Sequence, residues 1–163
     1  MKKSPFFRVG QKTKMEGSEI IVQKFGGTSV GSVDRIDAVA EIIKKASKRN
    51  KIIVVVSAMS GETNKLVNLA NHFGENPDKR EFDALVSTGE QVSASLVSIA
   101  LNQLGLKAKS LSAAQFGMKT TSNFSRAKIL DLDKDVIFQT IEDGFIPIIT
   151  GFQGVNNDGE TTT

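Results

Sequence analysis

The 163-residue chain has no cysteine and a single histidine, His72. Without thiols there is neither a disulfide framework nor a thiolate metal site. With one imidazole, neither a histidine-rich metal centre nor a standard Ser-His-Asp triad is expected within the chain. Long apolar runs are missing too: none approaches the ~20 residues of a membrane-spanning helix. The opening MKKSPFF is basic but has no apolar segment behind it, so it does not read as a secretory signal. An excess of one charge sign is also lacking once the first twenty residues are set aside. They hold Lys2, Lys3, Arg8, Lys12 and Lys14 against Glu16 and Glu19, and removing these from totals of 21 basic and 18 acidic residues leaves 16 of each. A body without net basic charge argues against nucleic-acid binding. At 39% hydrophobic and 24% charged residues, the chain has the composition of an ordinary soluble globular protein, long enough for one domain with a sizeable core.

Residues 1–18 show no periodicity and carry little to bury, so a disordered basic extension is expected there. Transit peptides share such a basic, acid-poor start; the plainer expectation is an extension of a cytoplasmic protein. From residue 19 the pattern alternates. Ile20 to Phe25 reads as a strand ending at Gly26-Gly27, and Ile52-Ile53-Val54-Val55-Val56 as a strand buried on both faces. Ile36, Val39, Ala40, Ile43 and Ala46 recur at helical spacing behind a possible N-cap, Ser32. Leu66, Leu69, Ala70 and Phe73 mark a second helix. Leu85 to Leu104 forms a third, with a possible break at Gly89 and a stop at Gly105. Short strands are expected near residues 107–111 and 118–121, a helix through Val136, Ile137 and Ile141 up to Gly144, a buried strand over 145–150, and a hairpin turn at Asn157-Asp158-Gly159. Strands separated by helices predict a parallel α/β sheet with helices on both faces.

The stretch Lys24-Phe25-Gly26-Gly27-Thr28-Ser29 lies at the carboxyl end of the first strand, where open α/β sheets bind ligands. Two glycines let a backbone approach a phosphate and aim N–H groups at it, and Lys24 adds a positive charge. It is neither a P-loop, because the lysine precedes the glycines, nor G-x-G-x-x-G, because the glycines are Gly26, Gly27 and Gly31. A plain strand-to-helix turn with a solvated lysine is the bland alternative. Against it, a lysine just inside a buried strand would be a costly unpaired charge.

Three further stretches follow strands or open helices: Val56-Ser57-Ala58-Met59-Ser60-Gly61-Glu62-Thr63-Asn64, then Val86-Ser87-Thr88-Gly89-Glu90-Gln91, then Gly151-Phe152-Gln153-Gly154-Val155. KFGGTS, VSAMSGETN, STGEQ and GFQG, in this order, resemble the aspartate kinases, and the resemblance covers residues 20–163. Carbamate kinase-type relatives share the lysine-glycine turn but not the second and third motifs as written here. The resemblance implies a three-layer αβα sandwich around a mainly parallel sheet, the carbamate kinase-like amino-acid kinase fold. It implies ATP-dependent phosphorylation of the L-aspartate side-chain carboxylate, with ATP and Mg²⁺ as cofactors, a cytoplasmic location and a homo-oligomer.

By the same resemblance Lys24 corresponds to the catalytic lysine, and Lys24 to Ser29 (with Phe25, Gly26, Gly27 and Thr28) to the phosphate-facing segment. Ser57, Thr63 and Glu90 correspond to aspartate-binding positions, and Phe152 to a segment that closes over the site; no residue is assigned to metal. The chemistry of these residues agrees: hydroxyls donate to carboxylates and Glu90 accepts from an ammonium. The aspartate side chain is ionised at pH 7, with an intrinsic pKa of about 3.9, so it can attack without a general base. Each residue also has a bland alternative: Thr63 as a helix cap, Ser57 as a buried hydroxyl bonded to backbone, Glu90 as a solvated helix residue, and the whole domain as a non-catalytic binding or assembly module. Met59, Met118 and His72 are expected to have no chemical role. The family continues into a Gly-Arg-Gly-Gly-Ser-Asp stretch, a nucleotide-binding half and ACT domains. Residues 19–163 are thus expected to be the amino-terminal, aspartate-binding part of a catalytic domain, inactive alone.

Overall fold

The computed structural model describes residues 14–15 and 18–163. The elements in chain order are β1 (Lys14–Met15), β2 (Ser18–Phe25), α1 (Val33–Ser47), β3 (Lys51–Val56), α2 (Glu62–Asn71), α3 (Lys79–Val86), α4 (Thr88–Gln103), β4 (Ala108–Leu111), α5 (Ala113–Phe116), β5 (Met118–Thr120), β6 (Ile129–Leu132), α6 (Asp135–Glu142), β7 (Ile146–Thr150), β8 (Gly154–Val155) and β9 (Thr161–Thr162). The extension expected over residues 1–18 falls mostly outside the described residues; within them, β1 pairs antiparallel with the start of β2.

The central sheet runs β1-β2-β3-β7-β4, and its last four strands are parallel. The β-branched run of β3 explains the layering, because successive side chains point to opposite faces. Ile52, Val54 and Val56 join Ile146 and Ile148 of β7 beneath Ile36, Val39, Ala40 and Ile43 of α1 and Ala94, Val97 and Leu101 of α4. Ile53 and Ile149 face the other way and pack with Ile137 and Ile141 of α6 and Ala113 and Phe116 of α5. Two apolar layers on one sheet make the αβα sandwich that the alternation of strands and helices predicts. A second sheet, β6-β5-β8-β9, flanks it and contains the expected hairpin, with Gly159 at φ +80° in its turn.

Local chemistry sets the helix ends. Ser32 caps α1 by accepting from the Arg35 N–H at 3.3 Å. At α2 the predicted stripe is narrower than expected: Leu66 and Ala70 are buried, but Phe73 lies beyond the helix and is 90% exposed, edge-on to His72. The long helical pattern breaks at Ser87, not at Gly89, separating α3 from α4. Gly89 sits inside α4 because a Cβ there would lie 2.9 Å from the Ala58 Cβ, so it serves close packing and not a bend. Lys79–Gln103 is, among the described residues, long and apolar enough by composition to cross a membrane. Half of its most apolar window is buried in the domain, where Ala94, Val97 and Leu101 fill the core.

One tie was not apparent from periodicity. Asp83 of α3 is fully buried, and its carboxylate accepts from the N–H and hydroxyl of Ser125 and from the N–H and hydroxyl of Thr163, all at 2.8–2.9 Å. It joins α3 to the second sheet with all its acceptor capacity in use, and it holds Ser125 at φ +61°, a region that non-glycine residues rarely occupy. Replacing Asp83 by Ala strands several donors at once, and bonds to charged groups are the strong ones. Asp83→Ala is expected to lower the unfolding free energy by about 3 kcal/mol, measured by urea denaturation; a loss under about 0.5 kcal/mol, the scale of a surface change, would mean that the tie contributes little.

Candidate active site

The carboxyl ends of β2 and β3 lead into two loops that pack against each other. In the first turn, Ser29 and Val30 N–H groups both bond back to the Gly26 carbonyl, at 2.8 and 3.3 Å, so the Ser29 donor is spent inside the turn. A Cβ on Gly27 would lie 2.8 Å from the Ala58 carbonyl oxygen, and one on Gly31 would lie 3.2 Å from the Ser60 Cβ. Glycine is therefore needed here so that two backbones can touch. The Arg35 guanidinium holds the Thr28 carbonyl at 3.0 Å, a support that sequence reading did not single out. The second loop turns at Gly61, φ +82°, which caps α2 without any side-chain bond. The positive end of α2 is thus left uncovered by a capping side chain.

Between these loops and the first turn of α4 lies a cleft of about 430 Å³, lined by Gly27, Thr28, Ser57–Gly61, Thr63, Glu90 and Phe152. Among the described residues, no hydrogen bond engages the hydroxyls of Thr28, Ser57, Ser60 or Thr63, which leaves four donors for a guest. The bland alternatives for Ser57 and Thr63 therefore do not apply. Ser57 bonds to Phe25 only through its backbone N–H, and Thr63 lies within the first turn of α2 beyond the cap.

Glu90 is the cleft's one charged side chain at depth, 3% exposed. Its Oε1 accepts from the Ala58 N–H at 3.2 Å, while Oε2 is buried with no partner. Burial pushes its pKa above the usual carboxylate range, and the Ala58 N–H and its own backbone N–H offset this in part. A half-satisfied buried carboxylate is costly in an empty site. A cation that donates to Oε2 would remove that cost.

The residues expected to form a site divide into two groups. Gly27, Thr28, Ser57, Thr63, Glu90 and Phe152 converge on the cleft. Lys24, Phe25, Gly26 and Ser29 do not line it. The Phe25 ring packs into the core on the α1 side. Lys24 is exposed, which corrects the premise of a buried lysine: β2 lies near the sheet edge, and Lys24, level with Val55, projects where Val22 is also 57% exposed. Phe152, at φ +62° and largely exposed, stands at the rim. Ser60 and Gln153, the latter buried behind Phe152, were part of the quoted motifs but were not singled out.

Residues 19–163 match the family model described as the amino acid kinase family. Curated relatives include an aspartokinase of Geobacillus stearothermophilus, 49% identical over 145 residues, and one of Pseudomonas aeruginosa, 48% identical. Each alignment takes in 88% of this chain, which spans 36% and 35% of those proteins' lengths. Among solved structures, the aspartate kinase of Synechocystis superposes with a TM-score of 0.76 at 42% identity, over 88% of this chain and 23% of that one. E. coli aspartokinase III in complex with aspartate and ADP superposes with a TM-score of 0.79 at 26% identity, over 89% and 43%.

Glu90 generates a pH-dependent expectation. Its folded-state pKa lies above its unfolded value, so the folded chain holds this proton more tightly. The contribution is fully present below the ordinary carboxylate range and is lost as pH rises through the raised value. Glu90→Gln keeps an acceptor for the Ala58 N–H and removes the buried charge. In the ligand-free chain it is expected to raise Tm at pH 8 and to have little effect at pH 4, read by thermal denaturation across pH. A lower Tm at pH 8 would mean that Oε2 is already stabilised by the protein.

Proposed function

Because the chain belongs to the amino acid kinase family, we propose that it is the aspartate-binding part of an aspartate kinase, which transfers the γ-phosphoryl group of ATP to the side-chain carboxylate of L-aspartate. The single observation that carries this is the buried, unpartnered Oε2 of Glu90, a residue that lines a cleft ringed by free hydroxyls. Aspartate has one ammonium and two carboxylates. The ammonium suits Oε2, and the hydroxyls of Ser57 and Thr63 with the uncapped end of α2 suit carboxylates. The aspartokinase relatives, and the E. coli structure described with aspartate and ADP, support the same substrate and nucleotide.

An ionised carboxylate oxygen attacks the γ-phosphorus, the bond to the bridging oxygen breaks, and ADP departs with that electron pair. The product is an acyl phosphate. No proton needs removing from the nucleophile, so positioning and charge neutralisation carry the step. On this proposal the exposed Lys24 faces the transferring phosphoryl group beside the Gly26-Gly27 turn, and Phe152 covers the bound acid. Magnesium would neutralise nucleotide charge, held mainly by the phosphates. Among the described residues no group of three or more carboxylate or imidazole side chains could hold the ion.

Two measurements test the proposal. Calorimetric titration of the chain with L-aspartate should show binding that Glu90→Gln weakens by about 100-fold, within the range for losing one partner of a buried charge pair. Succinate, which lacks the ammonium, should lose nothing. Equal losses for both acids would sink the ammonium assignment. In a protein that carries the whole catalytic domain, Lys24→Ala should lower kcat by roughly 10²–10³ with little change in the KM for aspartate, read as hydroxamate formed from the acyl phosphate. A change confined to KM would make Lys24 a ground-state binder.

A further inference from the structure

Gln153, which the proposed chemistry does not use, is buried directly behind Phe152. Both ends of its side-chain amide are bonded, each to a different element. Oε1 accepts from the N–H of Ala113, the first residue of α5, at 3.3 Å, and Nε2 donates to the Ser87 carbonyl, where α3 meets α4, at 3.0 Å. The partners fix which end is oxygen, since an N–H must meet the acceptor and a carbonyl the donor. Ser87 lies three residues before Glu90, so one amide links the rim of the cleft to the helix turn that carries its buried carboxylate.

The neighbours of Phe152 are also held. The Gly151 N–H donates to the Val56 carbonyl at 2.9 Å, and a Cβ on Gly151 would lie 3.0 Å from the same oxygen. Gly154 sits so close to Thr120 that a Cβ would collide with its Cγ2. Phe152 alone in this segment has an exposed side chain, and its backbone is left-handed, φ +62°, a conformation that a non-glycine residue keeps only when its surroundings impose it. That conformation turns Phe152 out over the cleft while Gln153 turns in.

We propose that Gln153 is a positioning residue, which holds Phe152 in its left-handed conformation at the rim and so sets acid affinity through Phe152 without touching the acid. The affinity arm rests on the proposed acid-binding function; the structural arm does not. Gln153→Leu keeps the volume and removes both bonds. In the ligand-free chain it should speed hydrogen exchange at the Gly151 amide, which ties the rim segment to the Val56 carbonyl, by about tenfold or more, the scale of one to two hydrogen bonds, while Val54 and Ile148 keep their rates. Gln153→Glu, which retains the acceptor for Ala113 but sets a carboxylate against the Ser87 carbonyl, should show the same local loosening and serves if the leucine variant fails to fold. For L-aspartate, Gln153→Leu should raise Kd about tenfold in the wild-type background and have no further effect in Phe152→Ala, since a residue that acts through another gives non-additive losses. Additive losses, or exchange that rises throughout the domain, would overturn the inference. If the wild-type chain binds no aspartate, the proposed function falls and the exchange result still decides the role of Gln153.

Discussion

Ala58 is the point on which the cleft depends. Its carbonyl oxygen occupies the space that a side chain at Gly27 would need, and its Cβ occupies the space that one at Gly89 would need. Its N–H holds Glu90. Three elements that are distant in sequence, the turn after β2, the loop after β3 and the first turn of α4, therefore meet around one small residue. Any larger residue at position 58 would push at least one of them away. Interiors are too densely packed to absorb even a methylene without strain. Neither Gly27 nor Gly89 has a positive φ, so both are there for space and not for conformational freedom.

Two buried carboxylates show how differently the fold treats charge. Asp83 is saturated by four bonds and acts as a structural tie between α3 and the second sheet. Glu90 has one oxygen bonded and the other bare. A protein selected only for stability would satisfy or replace such a group, because desolvating a charge costs far more than a neutral hydrogen bond returns. Glu90 itself lines a cleft with four unengaged hydroxyls and an uncapped helix end. Stability is given up locally, where a ligand of complementary charge would restore it.

The sandwich then acts as a scaffold for loops. Its two apolar layers depend on strands whose side chains alternate between them, and the loops at the carboxyl ends inherit their positions from that register. Gly151 bonds to the last residue of β3, so the rim segment carrying Phe152 is tied to the strand that feeds the Ser57–Gly61 loop. Floor and rim are thus parts of one framework.

What the sequence determined by itself is whatever depends on local pattern. The β-branched run of β3, the helical spacing of α1, the Ser32 cap and the turn at Gly159 follow from side-chain shape and backbone freedom within a few residues. The four motifs were likewise legible as residues that gather at strand ends or helix starts. Tertiary structure alone decided how deeply each is buried. Lys24 and Glu90 are both charged residues at the edges of apolar elements, yet one is exposed and the other nearly inaccessible. That difference arises because β2 lies near the sheet edge while α4 packs across the centre. It likewise decided that the helix breaks at Ser87, that Phe73 is left outside, and that Gln153 reaches Ser87 and Ala113 across 66 and 40 residues of chain. Contacts of that range depend on the packing of whole layers, which no local periodicity encodes.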